Sequence, residues 1–110
     1  MTTTLLIARH GNTFEDGEEP RRVGARTDLP LVATGRKQAE ALGLYLKKNN
    51  LLPNFVYSSM QKRTHETAAL ALATAGCTAR VERLSLFNEI DYGPDENQPE
   101  SEVVKRLGKE

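Results

Sequence analysis

Cysteine is nearly missing from this chain: Cys77 is the single one in 110 residues. One thiol excludes an internal disulfide, and it fits a reducing compartment. Long apolar runs are missing as well, and no stretch of the sequence could span a bilayer. The opening Met1-Thr2-Thr3-Thr4 carries no basic segment and leads straight into apolar sequence, so no secretory leader is expected. The expected setting is cytoplasmic. An excess of either charge is absent, because 15 basic side chains offset 15 acidic ones. That balance leaves no broad footprint for nucleic acid or an anionic membrane, and any anion recognition must be local. Repeats and low-complexity tracts are absent.

What is there fits one soluble α/β domain over residues 1–110, with 38% apolar and 27% charged residues. Residues 3–9 read as a first strand, where Leu5-Leu6-Ile7-Ala8 runs without alternation, as in a strand covered on both faces. Residues 11–33 read as a long loop. Thr34, a candidate N-cap, opens a helix whose Ala39, Leu42 and Leu46 share one face, and Asn49-Asn50 and Pro53 end it. Phe55-Val56-Tyr57 is a second strand. Gln61 to Ala75 is a second helix, with Ala68, Leu72 and Ala75 inward and Gly76 closing it. Residues 79–86 form a third strand, and Ser101 to Leu107 starts a third helix. This order predicts a mostly parallel sheet in a three-layer α/β/α arrangement. Right-handed crossovers would bring position 10, positions 58–63 and positions 87–93 to one edge, where ligands bind in open α/β sheets.

Three residues at that edge could carry chemistry. A histidine at a strand end is often only a polar cap on the core. Flanked by Arg9 and Gly11 and followed by Asn12-Thr13, however, His10 reads as a nucleophile beside an anion site. Arg9 offers a planar fork suited to phosphate or carboxylate. Arg63 is either a solvated helix arginine or, near the amides of a helix start, the second half of an anion clamp. Glu89 is either a loop carboxylate or a proton donor. Burial would raise its pKa and the two arginines would lower it, so the sequence leaves its protonation open. His65, between Thr64 and Glu66, reads as facing water. His10, His65 and the nearby acids lack metal-ligand spacing, and the turn after Arg9 fits neither a P-loop nor G-x-G-x-x-G. Neither metal nor cofactor is expected.

Four stretches in order resemble the histidine phosphatase superfamily, which includes the cofactor-dependent phosphoglycerate mutases. Arg9-His10-Gly11-Asn12-Thr13 resembles its R-H-G-x-T signature. Asp28-Leu29-Pro30-Leu31 with Thr34-Gly35-Arg36-Lys37-Gln38-Ala39 resembles its D-x-P-L loop and following helix. Ser58-Ser59, Arg63 and Thr67-Ala68 resemble its S-S-x-x-x-R-x-x-x-T-A segment, and Leu86 to Gly93 resembles its L-x-E-x-x-x-G turn.

The resemblance implies a phosphoglycerate mutase-like fold and a phosphomonoesterase. His10 would become phosphohistidine and Glu89 would donate the proton. Arg9, Asn12, Thr13 and Arg63 would hold the phosphoryl group, and Gly24 would line the substrate. The expected partner is a small phosphorylated substrate, with neither nucleic acid nor membrane. The family's second active-site histidine, in a later H-G segment, has no counterpart before Glu110, so the resemblance covers an N-terminal portion of that fold. The family turn also continues toward Trp-Glu-Gly, where this chain reads Pro94-Asp95-Glu96-Asn97. The alternative is therefore a weak or inactive phosphate-binding remnant, with mutase-type transfer behind both. A missing sheet strand would leave an unpaired edge and favour self-association.

Overall fold

The structure is a computed structural model and describes residues 2–108. Its elements run α1 (Ala33–Lys48), β1 (Val56–Ser58), α2 (Lys62–Ala75), β2 (Val81–Arg83), single 3₁₀ turns at Ser85–Phe87 and Gly93–Asp95, and α3 (Glu100–Leu107). The strands pair in parallel with Val56 opposite Val81 and Ser58 opposite Arg83, and α2 is the crossover between them. The β-α-β order expected from the sequence is therefore present, and the class is α/β with a small parallel sheet.

Residues 3–9 are a correction to the expected first strand. They carry no strand pairing among the described residues, and their apolar side chains face solvent, with Leu5 80% and Ile7 89% exposed. An isolated extended segment gains no ladder hydrogen bonds and buries no face, so its β-rich composition does not make it a strand. The three-strand sheet is thus two strands among the described residues.

The helices follow their apolar periodicity with small shifts. Helix α1 begins one residue before Thr34: Val32 is its N-cap, and no side chain caps it. Thr34 is therefore not the cap. Lys47 and Lys48 lie in the last turn, where the helix dipole favours cations. Its buried residues are Gly35, Ala39, Gly43 and Leu46, while Leu42 is half-buried. Helix α2 starts at Lys62, whose amide donates to Asp28 Oδ1 at 2.7 Å, so the carboxylate of a distant loop caps it. Gly76 closes α2 in the left-handed region at φ 69°. Thr67, Ala71, Leu72 and Ala75 are buried, and Ala68 is half-buried. Helix α3 places Glu100 and Glu102 in its first turn, Lys105 and Arg106 in its last, and Val103 in the core.

The core lies where α1 meets α2, around Ala39, Leu46, Ala71, Leu72 and Ala75. A Cβ on Gly43 would stand 2.2 Å from the Ala71 carbonyl oxygen, so the two backbones meet there. Gly43→Ala gains about 1 kcal/mol of helix propensity. Overpacking against a backbone atom costs about 1–3 kcal/mol, since no rotamer change relieves it. The expected result is a lower urea midpoint for Gly43→Ala than for the parent chain. A midpoint that stays or rises would show that the helices separate without cost.

Candidate active site

His10 is held from its backbone. The Gly11 amide donates to Thr67 Oγ1 at 3.0 Å, and that hydroxyl donates to the Arg63 carbonyl at 2.7 Å. On the other side, the Asn12 amide donates to Gln38 Oε1 at 2.8 Å, and the Asn12 carbonyl accepts from Val32. The fit needs two glycines. A Cβ on Gly11 would lie 2.4 Å from the Gly35 oxygen, and one on Gly35 would lie 2.1 Å from the Asn12 oxygen. The histidine is thus fixed to α1 and α2 although residues 3–9 are unpaired.

His10 Nδ1 lies 2.7 Å from the Gly11 carbonyl oxygen. A carbonyl only accepts, so Nδ1 carries the proton and Nε2 of the neutral ring keeps its lone pair. Burial lowers the His10 pKa, the Gly11 hydrogen bond raises it, and the Arg63 and Arg9 charges lower it again against a smaller opposing pull from Glu89. The net shift is downward, toward the neutral nucleophilic form. The same balance shows that Arg9, Arg63 and Glu89 all act electrostatically on His10. An open groove of about 440 Å³ runs beside it, lined by Ile7 to Gly11, Gln38, Ala39, Leu42 and Thr67.

Arg63 is not a solvated helix arginine. It is 2% exposed, among the most buried side chains of the molecule. Its Nη1 donates to the Thr27 carbonyl at 2.7 Å, and its Nη2 donates to the carbonyls of Val23 and Gly24 and to Gln61 Oε1. Burial lowers its pKa, opposed by Glu89, Asp28, Glu96 and Tyr92. Its terminal nitrogens hold loop 23–27 in place, and its charge reaches His10 across that site.

Glu89 is exposed, and its Oε1 accepts from the Ile90 amide at 2.9 Å. Its own amide points to Gln61 Oε1 at 3.4 Å, and the Met60 amide donates to Asn88 Oδ1 at 2.8 Å. The expected meeting of positions 58–63 with 87–93 therefore occurs. Arg9 is exposed and acts on His10 by charge. Asn12 contributes its backbone, its side chain being exposed, and Thr13 is half-buried without a hydrogen bond among the described residues. Gly24 is buried, and a Cβ there would lie 2.2 Å from the Ile90 oxygen. His65 is a correction: it is half-buried, with Nδ1 enclosed and unpartnered among the described residues, because α2 packs its inner side against the sheet. Burial and Arg83 lower its pKa, against Glu66.

Glu96 was missed by the sequence reasoning. It is 8% exposed, and it accepts from the Gly24 amide at 3.0 Å, the Tyr92 amide at 3.2 Å and the Thr27 hydroxyl. Burial raises its pKa, but the Thr27 hydroxyl, both amides and Arg26 outweigh that and hold it below the ordinary carboxylate value. The one sequence signal was its place where the resembled turn has Glu-Gly. Asn97 follows it at φ 59°, taking the left-handed conformation that glycine adopts readily. Among the described residues, no group of three or more His, Cys, Asp or Glu could hold a metal, and no helix is long and apolar enough to cross a membrane.

An imidazole with a free Nε2, under the charges of two guanidinium groups and a carboxylate, has the chemistry to bind and attack a phosphoryl group. Residues 5–110 match the histidine phosphatase superfamily (branch 1), and the chain belongs to that family. It is 34% identical to a 2,3-bisphosphoglycerate-dependent phosphoglycerate mutase of Mycobacterium leprae, over 99% of this chain and 44% of that protein. The crystal structure of a phosphoglycerate mutase from Bacillus anthracis superposes with TM-score 0.72 at 29% identity, over 91% of this chain and 44% of that one. A mycobacterial glucosyl-3-phosphoglycerate phosphatase, solved with VO3, superposes with TM-score 0.69 at 25% identity over 90% of this chain and 49% of that one. The chain thus spans less than half the length of these relatives.

The site predicts the titration of His10. Its imidazole should titrate below the ordinary 6.5, with Nδ1 protonated in the neutral form. Because the unfolded chain takes up this proton first, His10 removes stability as pH falls from 6.5 to its lowered folded value, and no further below that. Nitrogen-15 NMR across pH 4–8 checks both points. Replacing Arg63 by Gln should raise the midpoint and replacing Glu89 by Gln should lower it. The opposite order would refute the electrostatic arrangement.

Proposed function

We propose that the protein carrying this chain hydrolyses a small phosphomonoester through a phosphohistidine at His10. The observation that carries this reading is the Gly11 carbonyl on Nδ1, which leaves Nε2 unprotonated beside the charges of Arg9 and Arg63. Nε2 attacks phosphorus as the ester P–O bond breaks. The leaving oxygen takes a proton from Glu89, whose Oε2 has no hydrogen bond among the described residues. Water then attacks phosphorus as the P–N bond breaks and returns its electron pair to Nε2, passing a proton to Glu89 and releasing inorganic phosphate. Arg9 and Arg63 stabilise charge on the transferring oxygens, and loss of one such aimed charge costs on the order of a hundredfold in rate. Asn12, Thr13 and Gly24 line the position of the phosphoryl group and its substrate.

Similar proteins include both mutases and phosphatases. Our reading is hydrolysis, with water as the acceptor that the open groove beside His10 admits. We place it in the cytoplasm, in keeping with the free and half-buried Cys77. For residues 1–110 alone we propose phosphate binding with at most weak turnover. The motivating observation is that the segment leading into His10 is unpaired, with Leu5 and Ile7 exposed. The same segment offers a strand edge to a second copy of the chain, and we propose self-association through it.

Incubation with a phosphoryl donor should give an acid-labile, alkali-stable phosphoprotein that is absent from His10→Ala. Undiminished turnover by His10→Ala would sink the mechanism, and robust hydrolysis by residues 1–110 would overturn the weak-turnover reading. Light scattering should find dimers or larger species that Ile7→Lys reduces. A monodisperse monomer at high concentration would end the self-association proposal.

A further inference from the structure

Residues 23–27 are gripped from two sides by side chains of opposite character. Their acceptors face Arg63 and Gln61: the carbonyls of Val23, Gly24 and Thr27 take the guanidinium, and the Gly24 carbonyl also takes Gln61 Nε2 at 2.9 Å. Their donors face Glu96, which accepts the Gly24 amide and the Thr27 hydroxyl. The third bond of Glu96, from the Tyr92 amide, lies in the turn that carries Glu89. That turn is joined to the loop again by the Ala25 amide on the Ile90 carbonyl at 2.8 Å. One buried carboxylate therefore connects the peptide units that hold Arg63 with the turn that holds Glu89.

We propose that Glu96 is a positioning residue for the phosphate site, setting Arg63 through residues 24–27 and the Glu89 turn through Tyr92. This rests on reading His10, Arg63 and Glu89 as that site. The rotation of peptide unit 24 is fixed by its amide on Glu96 and its carbonyl on Arg63 and Gln61. Removing the carboxylate frees that amide and the Thr27 hydroxyl together. A buried donor without an acceptor is costly, so the loop turns toward water to find one. In turning, it withdraws the Val23, Gly24 and Thr27 carbonyls from the guanidinium. Arg63 then follows its acceptors or seeks new ones, and its charge moves relative to His10. Glutamine cannot replace this carboxylate, because its NH₂ group would meet an N–H or O–H that needs an acceptor.

The test uses labelled chain, inorganic phosphate as the probe, and His10 as the reporter. In Glu96→Gln the His10 midpoint should rise toward that of Arg63→Gln, because the charge that lowers it has moved away. Phosphate affinity should fall about tenfold, the scale of one lost hydrogen bond to a charged group. Introduced into Arg63→Gln, the same change should cost less than about twofold, since the two act through one another. Thr27→Val removes a single partner of the carboxylate and should move the His10 midpoint in the same direction by a smaller amount. A merely structural Glu96 would lower thermal stability and leave the midpoint of the folded protein unmoved, and that result overturns the proposal. If Glu96→Gln does not fold, an unmoved midpoint in folded Thr27→Val overturns it equally. Failure of phosphate to perturb His10 in the parent chain would refute the phosphate site, while the titrations still decide whether Glu96 positions Arg63.

Discussion

Arg63 is a buried cation whose four contacted acceptors are three backbone carbonyls and the amide oxygen of Gln61. Carbonyl dipoles satisfy the donors of a guanidinium without cancelling its charge, as a carboxylate in direct contact would. The carboxylates of Glu89, Asp28 and Glu96 act on it only at longer range. The desolvation of the cation is thus offset while a positive potential survives at the site, and that potential adds to burial, the larger cause, in lowering the His10 pKa. An ion pair in the same place would have made a stable core and a poor anion site. The loop that supplies the carbonyls is in turn fastened by Glu96 and by Asp28 on the start of α2. The position of Arg63 and the path of residues 23–28 are therefore one structural decision.

The Thr67 hydroxyl extends that decision to His10. It receives the Gly11 amide and donates to the carbonyl of Arg63, one helical turn earlier. The backbone beside His10 and the backbone at Arg63 share one oxygen atom. Close approach of Gly11 and Asn12 to Gly35 then sets the distance to α1. This explains how the histidine keeps a defined place although the segment before it has no sheet partner. The reference frame of the site is the α1–α2 pair.

Much of this was legible in the residues, and the exceptions have physical causes. Periodic apolar positions gave α1 and α2, because each buries a face against the other. Val56 and Val81 gave strands that pair in parallel. The run Leu5 to Ala8 has the composition of a buried strand, but strand formation also requires a partner, which composition does not reveal. Arg63 was legible as a cation at a helix start. Its burial was not, because its partners are peptide carbonyls from a loop, and any residue type supplies a carbonyl. Glu96 was hidden for the same reason, two of its three partners being amides. His65 lies between a Thr and a Glu, neighbours that point to water, whereas its Nδ1 is enclosed.

The strength of the site depends on how much water reaches it. A guanidinium acts on a phosphoryl oxygen several times more strongly in a closed pocket than across solvent, since the effective dielectric falls. Here the groove beside His10 is bounded by α1, Thr67 and the exposed Ile7 ribbon, and Arg9 and Glu89 are both exposed. His10 and Arg63 are therefore held by bonds local to α1, α2 and the Glu96 turn, whereas enclosure of the groove is a separate property that the exposed Arg9 and Glu89 do not supply. Binding draws on the first property and rate acceleration on the second. If the site transfers phosphoryl groups as proposed, covering the ribbon raises the rate far more than the affinity for ground-state phosphate.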